Sequence, residues 1–121
     1  MHHSIKLLSC AALLCAGIAA QAQDATAGKA AFAPCAACHS VNGSNGAGPS
    51  LQGVVGRKAG ALEGFRYSKA MKAAGTTWDV ASLDAYIADP QKVVPGNVMP
   101  FSGLPDAKVR ADIVAYLGTL K

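Results

Sequence analysis

Cys35-Ala36-Ala37-Cys38-His39 is a C-x-x-C-H run, which is the short signature of covalent c-type haem attachment. Cysteines three residues apart lie about one helical turn from each other, so both sulfurs can face one side and bond the two vinyl groups of a porphyrin. The adjacent His39 then lies beneath the ring, where its imidazole can give a nitrogen lone pair to the iron. The run therefore predicts one haem c, attached through Cys35 and Cys38, with His39 as an iron ligand.

Other uses of a C-x-x-C pair fit the sequence less well. A zinc site needs four ligands, but after residue 22 the sequence offers Cys35, Cys38 and His39 with no second C-x-x-C and no paired histidines. A thioredoxin-like redox pair belongs to a strand–helix–strand unit, whereas this chain is rich in Ala, Gly and helix-forming residues. A bare structural disulfide is a further minor alternative.

Residues 1–22 have the pattern of a cleaved secretory signal peptide. A polar, basic start is followed by an almost wholly apolar stretch from Ile5 to Ala20, and Ala20-Gln21-Ala22 fits an A-x-A cleavage site. A membrane-spanning helix is the alternative, but it needs about 20 apolar residues and usually lacks such a site. Cys10 only loosely resembles a lipoprotein acceptor because the apolar stretch before it is short. We expect export to the periplasm.

Residues 23–121 form one predicted domain. Removing 22 of the 121 residues leaves 99, and the loss of Lys6 lowers the net charge from +4 to +3. This modest charge shows no clustered basic stripe, which argues against nucleic acid as a partner. A domain of this size has a small core, so a large apolar cofactor would contribute much of its packing. We expect a monomer that does not span the membrane once the signal is removed.

The predicted fold class is all-α, with three to five helices and long loops wrapped around one haem. Caps, breakers and apolar spacing place the helices at about Asp24–Cys38, Tyr67–Ala74, Val80–Ala88 and Pro105–Leu120. The stretches 41–64 and 91–103 are rich in Gly, Asn, Ser and Pro and are predicted as loops. Loops of this length need something to wrap around, and the haem would serve.

The second axial position has few candidates, because no other histidine follows residue 22. Met71, Met99, a lysine or an open site remain, and a methionine thioether is the soft donor that stabilises ferrous iron. Met71 stands in a helical context, where a core role is the simpler interpretation. Met99 lies between turn-forming residues in an irregular loop, and it is therefore the preferred ligand.

The chain resembles a class I cytochrome c of the mitochondrial and short bacterial type over essentially all of residues 23–121. The matching pieces are Gly28-Lys29-x-x-Phe32-x-x-Cys35-x-x-Cys38-His39, Gly48-Pro49-x-Leu51, Gly56-Arg57-Lys58, Phe65-x-Tyr67, Trp78, Tyr86-Ile87, Pro95-Gly96-x-x-Met99-x-Phe101 and Ala115-Tyr116-Leu117.

The resemblance implies further roles in the haem pocket. Pro49 would offer its carbonyl oxygen to the second ring nitrogen of His39 and so orient the imidazole. Arg57, Tyr67 and Trp78 would hold the haem propionates, since a buried carboxylate must be paired or hydrogen-bonded. Tyr86 would lie near Met99. Asn97 occupies a position where the family often has a hydroxyl residue.

The resemblance also implies function: an electron carrier rather than an enzyme, shuttling one electron between redox partner proteins, such as a membrane-bound reductase or a terminal oxidase. The alternative is a haem enzyme or ligand sensor of the peroxidase kind, which needs an open iron site and usually distal acid-base groups. Val98 replaces the lysine often found beside the ligand methionine. The remaining docking candidates are scattered lysines, namely Lys29, Lys58, Lys69, Lys72 and Lys92.

Overall fold

A computed structural model describes residues 23–121, so the predicted signal peptide lies outside the described residues. Within this range the chain forms six helices joined by long loops, and the only strand-like pairing is an isolated antiparallel bridge between Lys58 and Thr77. The helices are α1 (Ala25–Ala31), α2 (Ala33–Ala36), α3 (Lys69–Ala73), α4 (Val80–Ala88), α5 (Pro90–Val93) and α6 (Ala107–Gly118).

The helix count exceeds the expected three to five for two local reasons. The segment predicted as one helix is divided at Phe32 into α1 and α2, because Pro34 has no amide hydrogen and cannot continue the α-helical hydrogen bonding. The single turn α5 overlaps the stretch 91–103, so the prediction of a loop was wrong for residues 91–93. The Asp89 side chain caps this turn by accepting a hydrogen bond from the Lys92 amide at 3.3 Å.

The other helices are close to their predicted positions, and their first residues are set by side-chain caps. Helix α4 has the predicted bounds, with a capping box between Asp79 and Ser82. Helix α3 is shorter than predicted because the Ser68 hydroxyl caps it, accepting from the Met71 amide. Helix α6 begins after Asp106, whose carboxylate accepts from the Lys108 and Val109 amides.

The first and last helices of the domain cross in close contact. Gly28 is buried in α1, and a Cβ placed there would overlap the backbone carbonyl of Asp112 in α6. The ring of Phe32 packs edge-on against Tyr116 with 5.4 Å between ring centroids. The Asp112 carboxylate accepts a hydrogen bond from the Asp24 amide at 2.9 Å. These contacts hold the attachment segment, which follows α1, against the end of the chain.

A second set of contacts joins α4 to α6. Arg110 donates from Nε to the Asp84 carboxylate at 2.9 Å and from one terminal nitrogen to the carbonyl oxygens of Leu104 and Pro105. The buried apolar core is formed by Phe32 between α1 and α2, by residues of α4 and α6, and by residues of the loops; it consists of Phe32, Val54, Ala59, Trp78, Leu83, Tyr86, Val94, Ile113, Val114 and Leu117. Among residues 23–121, no helix is long and apolar enough to cross a membrane.

Candidate haem site

One cavity of about 320 Å³ lies between the helices and the two long loops, and its walls are mostly apolar. All nine residues predicted for the site line it, namely Cys35, Cys38, His39, Pro49, Arg57, Tyr67, Trp78, Tyr86 and Met99. The remaining walls include Phe32, which lies between α1 and α2, and aliphatic side chains from α4, α6 and the loops, among them Leu83 and Ile113. The fold thus brings together nine predicted site residues that span 64 positions of the sequence, from Cys35 to Met99.

The C-x-x-C-H run stands at the end of α2, on the wall of this cavity. The Cys38 and His39 amides both donate to the Cys35 carbonyl oxygen, at 3.1 and 2.9 Å, so the run completes a tight helical turn. Both cysteines carry free thiols, that of Cys35 half-buried and that of Cys38 exposed. Burial raises the pKa of the Cys35 thiol above its ordinary value, which favours the neutral form.

The imidazole of His39 is fixed from one side by backbone. Its Nδ1 lies 2.7 Å from the Pro49 carbonyl oxygen, a hydrogen bond in which the ring nitrogen is the donor. That contact places the proton on Nδ1 and leaves the Nε2 lone pair for a metal ion. A Cβ at Gly48 would lie 2.6 Å from His39 Cε1, so the ring fits only against a residue without a side chain.

Arg57, Tyr67 and Trp78 reach the cavity from the loop that includes the Lys58–Thr77 bridge. The Trp78 amide donates to the Arg57 carbonyl oxygen at 2.9 Å, which keeps these two residues on adjacent backbone. The Arg57 guanidinium is partly engaged already, donating to the Ser50 carbonyl oxygen at 2.9 Å. Burial lowers the pKa of Arg57, while nearby Tyr67 acts in the opposite direction. The guanidinium nevertheless remains charged at any ordinary pH.

Tyr86 lies in the interior of the site. Its ring packs against Trp78 with 5.1 Å between centroids and a tilt of 54°. Burial raises the pKa of the Tyr86 hydroxyl to about 12, so the group is a neutral donor near pH 7. A neutral phenol on an apolar wall can donate a hydrogen bond without adding charge beside the cofactor.

Met99 and Met71 both line the cavity, and both are half-buried. Position at the wall therefore does not by itself separate the two methionines. Their backbones differ, since Met71 belongs to the short helix α3, whereas Met99 belongs to the irregular segment that follows α5. The Met99 amide donates to the Asn97 side chain at 3.0 Å.

Comparison with known proteins agrees with this arrangement. A family model described as cytochrome c matches residues 25–121. The chain belongs to the cytochrome c family. Cytochrome c2 of Rhodoblastus acidophilus is 52% identical over 102 residues, covering 83% of this chain and 95% of that protein. Cytochrome c of Trypanosoma brucei brucei is 50% identical over 92 residues, covering 76% and 99%. The solved structure of cytochrome cH from Methylobacterium extorquens superposes with a TM-score of 0.77 at 54% identity, covering 79% of this chain and 98% of that one.

Membership confirms the predicted all-α cytochrome c fold and the predicted cofactor. The family carries haem c bound covalently through a cysteine pair, and Cys35 and Cys38 stand in that spacing. The chain is a haem c electron-transport protein. The site suits this cofactor because its walls are apolar, both thiols are free and the Pro49 hydrogen bond leaves one His39 nitrogen for iron.

Two features of the cytochrome's site were not singled out from its sequence. Gly48 was noted only as part of a matching Gly-Pro pair, although its missing side chain makes room for the His39 ring. Ser50 is almost fully buried, and its hydroxyl accepts hydrogen bonds from the Gly43 and Gln52 amides at 3.0 and 3.3 Å. These bonds shape the loop that carries Pro49. The available signal for the first feature was the Gly-Pro pair that lies nine and ten residues after His39.

Proposed function

We propose that this cytochrome is a periplasmic carrier that holds its haem iron between His39 and Met99. It carries one electron at a time between redox partner proteins, such as a membrane-bound reductase and a terminal oxidase, and it is not an enzyme. The observation that carries the proposal is that an imidazole with a fixed tautomer and a thioether line the same apolar cavity as the paired thiols. Imidazole and thioether together stabilise ferrous iron and raise the reduction potential.

The residues of the protein would bind the haem, orient the His39 imidazole and shield the haem from water. Cys35 and Cys38 would tether the cofactor, while Pro49 and Gly48 hold the imidazole in one orientation. Arg57, Tyr67 and Trp78 would pair with the propionates. The apolar walls would exclude water from a bound haem, and the contacts that hold the walls in place are present before the haem binds. When bound, the haem would supply the reversible Fe(III)/Fe(II) couple, and His39 and Met99, if both stay bound to the iron, would exclude peroxide from it.

A matched pair of methionine variants tests the ligand assignment. Met99→Ala should open the iron to carbon monoxide and lower the reduction potential, because a thioether that favours ferrous iron is lost. Met71→Ala should leave both properties unchanged and lose only packing, less than the ~2–5 kcal/mol of a fully buried methionine, because Met71 is half-buried. The measurements are visible spectra with and without carbon monoxide, and a redox titration.

The reciprocal result, in which Met71→Ala is the variant that opens the iron, would contradict the assignment. A peroxidase assay on the undamaged wild-type protein separates the carrier from the enzyme. Substantial peroxide turnover would favour the haem-enzyme alternative, since that activity needs an open iron position.

Export is tested on protein made with a c-type maturation system. Mass spectrometry of the periplasmic fraction should show the chain beginning at Gln23 and carrying one haem that survives acid-acetone extraction. Retention of Met1 would contradict the predicted cleavage after Ala22, and haem that can be extracted would contradict attachment through Cys35 and Cys38.

A further inference from the structure

Asn97 is a buried polar residue with only 7% of its surface accessible, and it directly follows the exposed Pro95 and Gly96 in the turn after α5. Its side-chain nitrogen donates to the Pro90 carbonyl oxygen at 3.0 Å and to the Val94 carbonyl oxygen at 2.9 Å. Its side-chain oxygen accepts from the Met99 amide at 3.0 Å. Both amide hydrogens and the acceptor oxygen are therefore engaged with the backbone of α5 and of the segment that carries Met99.

The Gln91 side chain makes two further hydrogen bonds to the backbone of the same turn. Its side-chain nitrogen donates to the Asn97 carbonyl oxygen at 2.9 Å, and its side-chain oxygen accepts from the Gly96 amide at 3.1 Å. Gly96 has a φ of +85°, a conformation that favours glycine, and it allows the chain to reverse direction here. Gln91 is exposed, so these bonds lie on the surface of the turn.

The backbone alone gives this segment little support. The Asn97 amide donates to the Val94 carbonyl oxygen at 3.1 Å, and the Phe101 amide donates to the Met99 carbonyl oxygen at 2.8 Å. The Asn97 side chain links Met99 to α5, because it accepts a hydrogen bond from the Met99 amide and donates one to the Pro90 carbonyl oxygen. A hydroxyl residue at this position has a single donor, so it could not satisfy the Pro90 and Val94 carbonyls together.

We infer that Asn97 is a positioning residue whose carboxamide fixes the backbone of Met99 and so resists displacement of the thioether from the iron. The inference rests on the proposed ligation by His39 and Met99. Removing the carboxamide leaves the Met99 amide without its partner, while the Pro90 and Val94 carbonyls keep only their backbone donors, the Val94 and Asn97 amides. The loss of three side-chain hydrogen bonds favours open conformations of the turn. An added ligand that competes with Met99 then binds more readily, because its affinity depends on how often the turn is open.

The test is a titration of the ferric holoprotein with imidazole, followed by visible spectroscopy. We expect Asn97→Ala to bind imidazole about tenfold more tightly than wild type or better, corresponding to ~1.4 kcal/mol. Asn97→Ser retains an acceptor and one donor and should fall between the two. Gln91→Ala should bind imidazole severalfold more tightly. The matched control is Asn42→Ala, which removes a comparable bond to the Ser44 amide in the other long loop and should leave imidazole affinity unchanged.

Guanidinium unfolding of each variant separates positioning from general stability. Equal imidazole affinity in Asn97→Ala and wild type, with only the unfolding free energy reduced, would overturn the inference. If Asn97→Ala does not fold, the exposed Gln91→Ala decides the question by the same titration. Failure of the underlying ligation is distinguishable, because wild-type ferric protein would then lack the weak red charge-transfer band of methionine-ligated haem before any variant is made.

Discussion

Replacing Gly28 with alanine tests whether the crossing of α1 and α6 depends on a missing side chain. In a helix exposed to solvent, this substitution would stabilise by about 1 kcal/mol, because glycine is the poorer helix former. Here the new Cβ would overlap the Asp112 carbonyl group and would stand only 3.0 Å from the Ile113 amide nitrogen. Both obstacles are backbone atoms of α6, so no side chain can rotate away to relieve the overlap.

The expected change in the free energy of unfolding follows from the separation of α1 and α6 that the added carbon requires. The helices have to separate, which costs about 1–3 kcal/mol or more for overpacking and weakens the Phe32–Tyr116 contact, worth about 0.5–1.5 kcal/mol. After subtracting the gain in helix propensity, Gly28→Ala should lower the free energy of unfolding by about 1–3 kcal/mol. Guanidinium unfolding of the holoprotein, followed by far-UV circular dichroism, measures this change.

Gly118 provides the matched control, because it is also in a helix, but a Cβ added to it would have no neighbouring atom within 4 Å. Gly118→Ala should be neutral or stabilise by up to about 1 kcal/mol, so the two substitutions are expected to have opposite signs. Stabilisation by Gly28→Ala similar to that by Gly118→Ala would refute the close crossing.

Two further substitutions test the site and its supports. Gly48→Ala should displace the His39 imidazole, because the added carbon would stand 2.6 Å from Cε1, and we expect a shifted reduction potential and a weaker or altered iron–histidine signature in resonance Raman spectra. A spectrum and potential identical to wild type would contradict that geometry. Hydrogen bonds, first from the Lys108 side chain and then from the Asp24 amide, lower the pKa of the Asp112 carboxyl group. The ionised carboxylate therefore stabilises the fold at a pH above the ordinary carboxyl pKa, and this stabilisation is lost as the pH falls through the lowered pKa of the folded state. Asp112→Asn should therefore flatten the acid limb of the unfolding free energy measured against pH, and an unchanged acid limb would show that this carboxylate contributes nothing.

Prediction from sequence worked where the physical cause lies within a few residues. The spacing of Cys35, Cys38 and His39 defines an attachment run because one helical turn is enough to align two sulfurs and an imidazole. Helix α4 was predicted with its observed bounds because Asp79 caps one end and Pro90 stops the other. The division of the first helix at Phe32 was missed, although Pro34 was the signal, because alanine-rich neighbours favour a continuous helix.

Tertiary structure decided the contacts that join distant parts of the chain. The atoms that exclude a side chain at Gly28 belong to Asp112, 84 positions away. The family resemblance implied a close crossing of the first and last helices at Gly28, but no local pattern identifies Asp112 as the partner. The cavity wall gathers both Met71 and Met99, although sequence context had assigned the first simply to the core. Short-range propensities choose caps, turns and helix ends, whereas such contacts depend on closing long loops, and only the packed chain shows which side chains then meet.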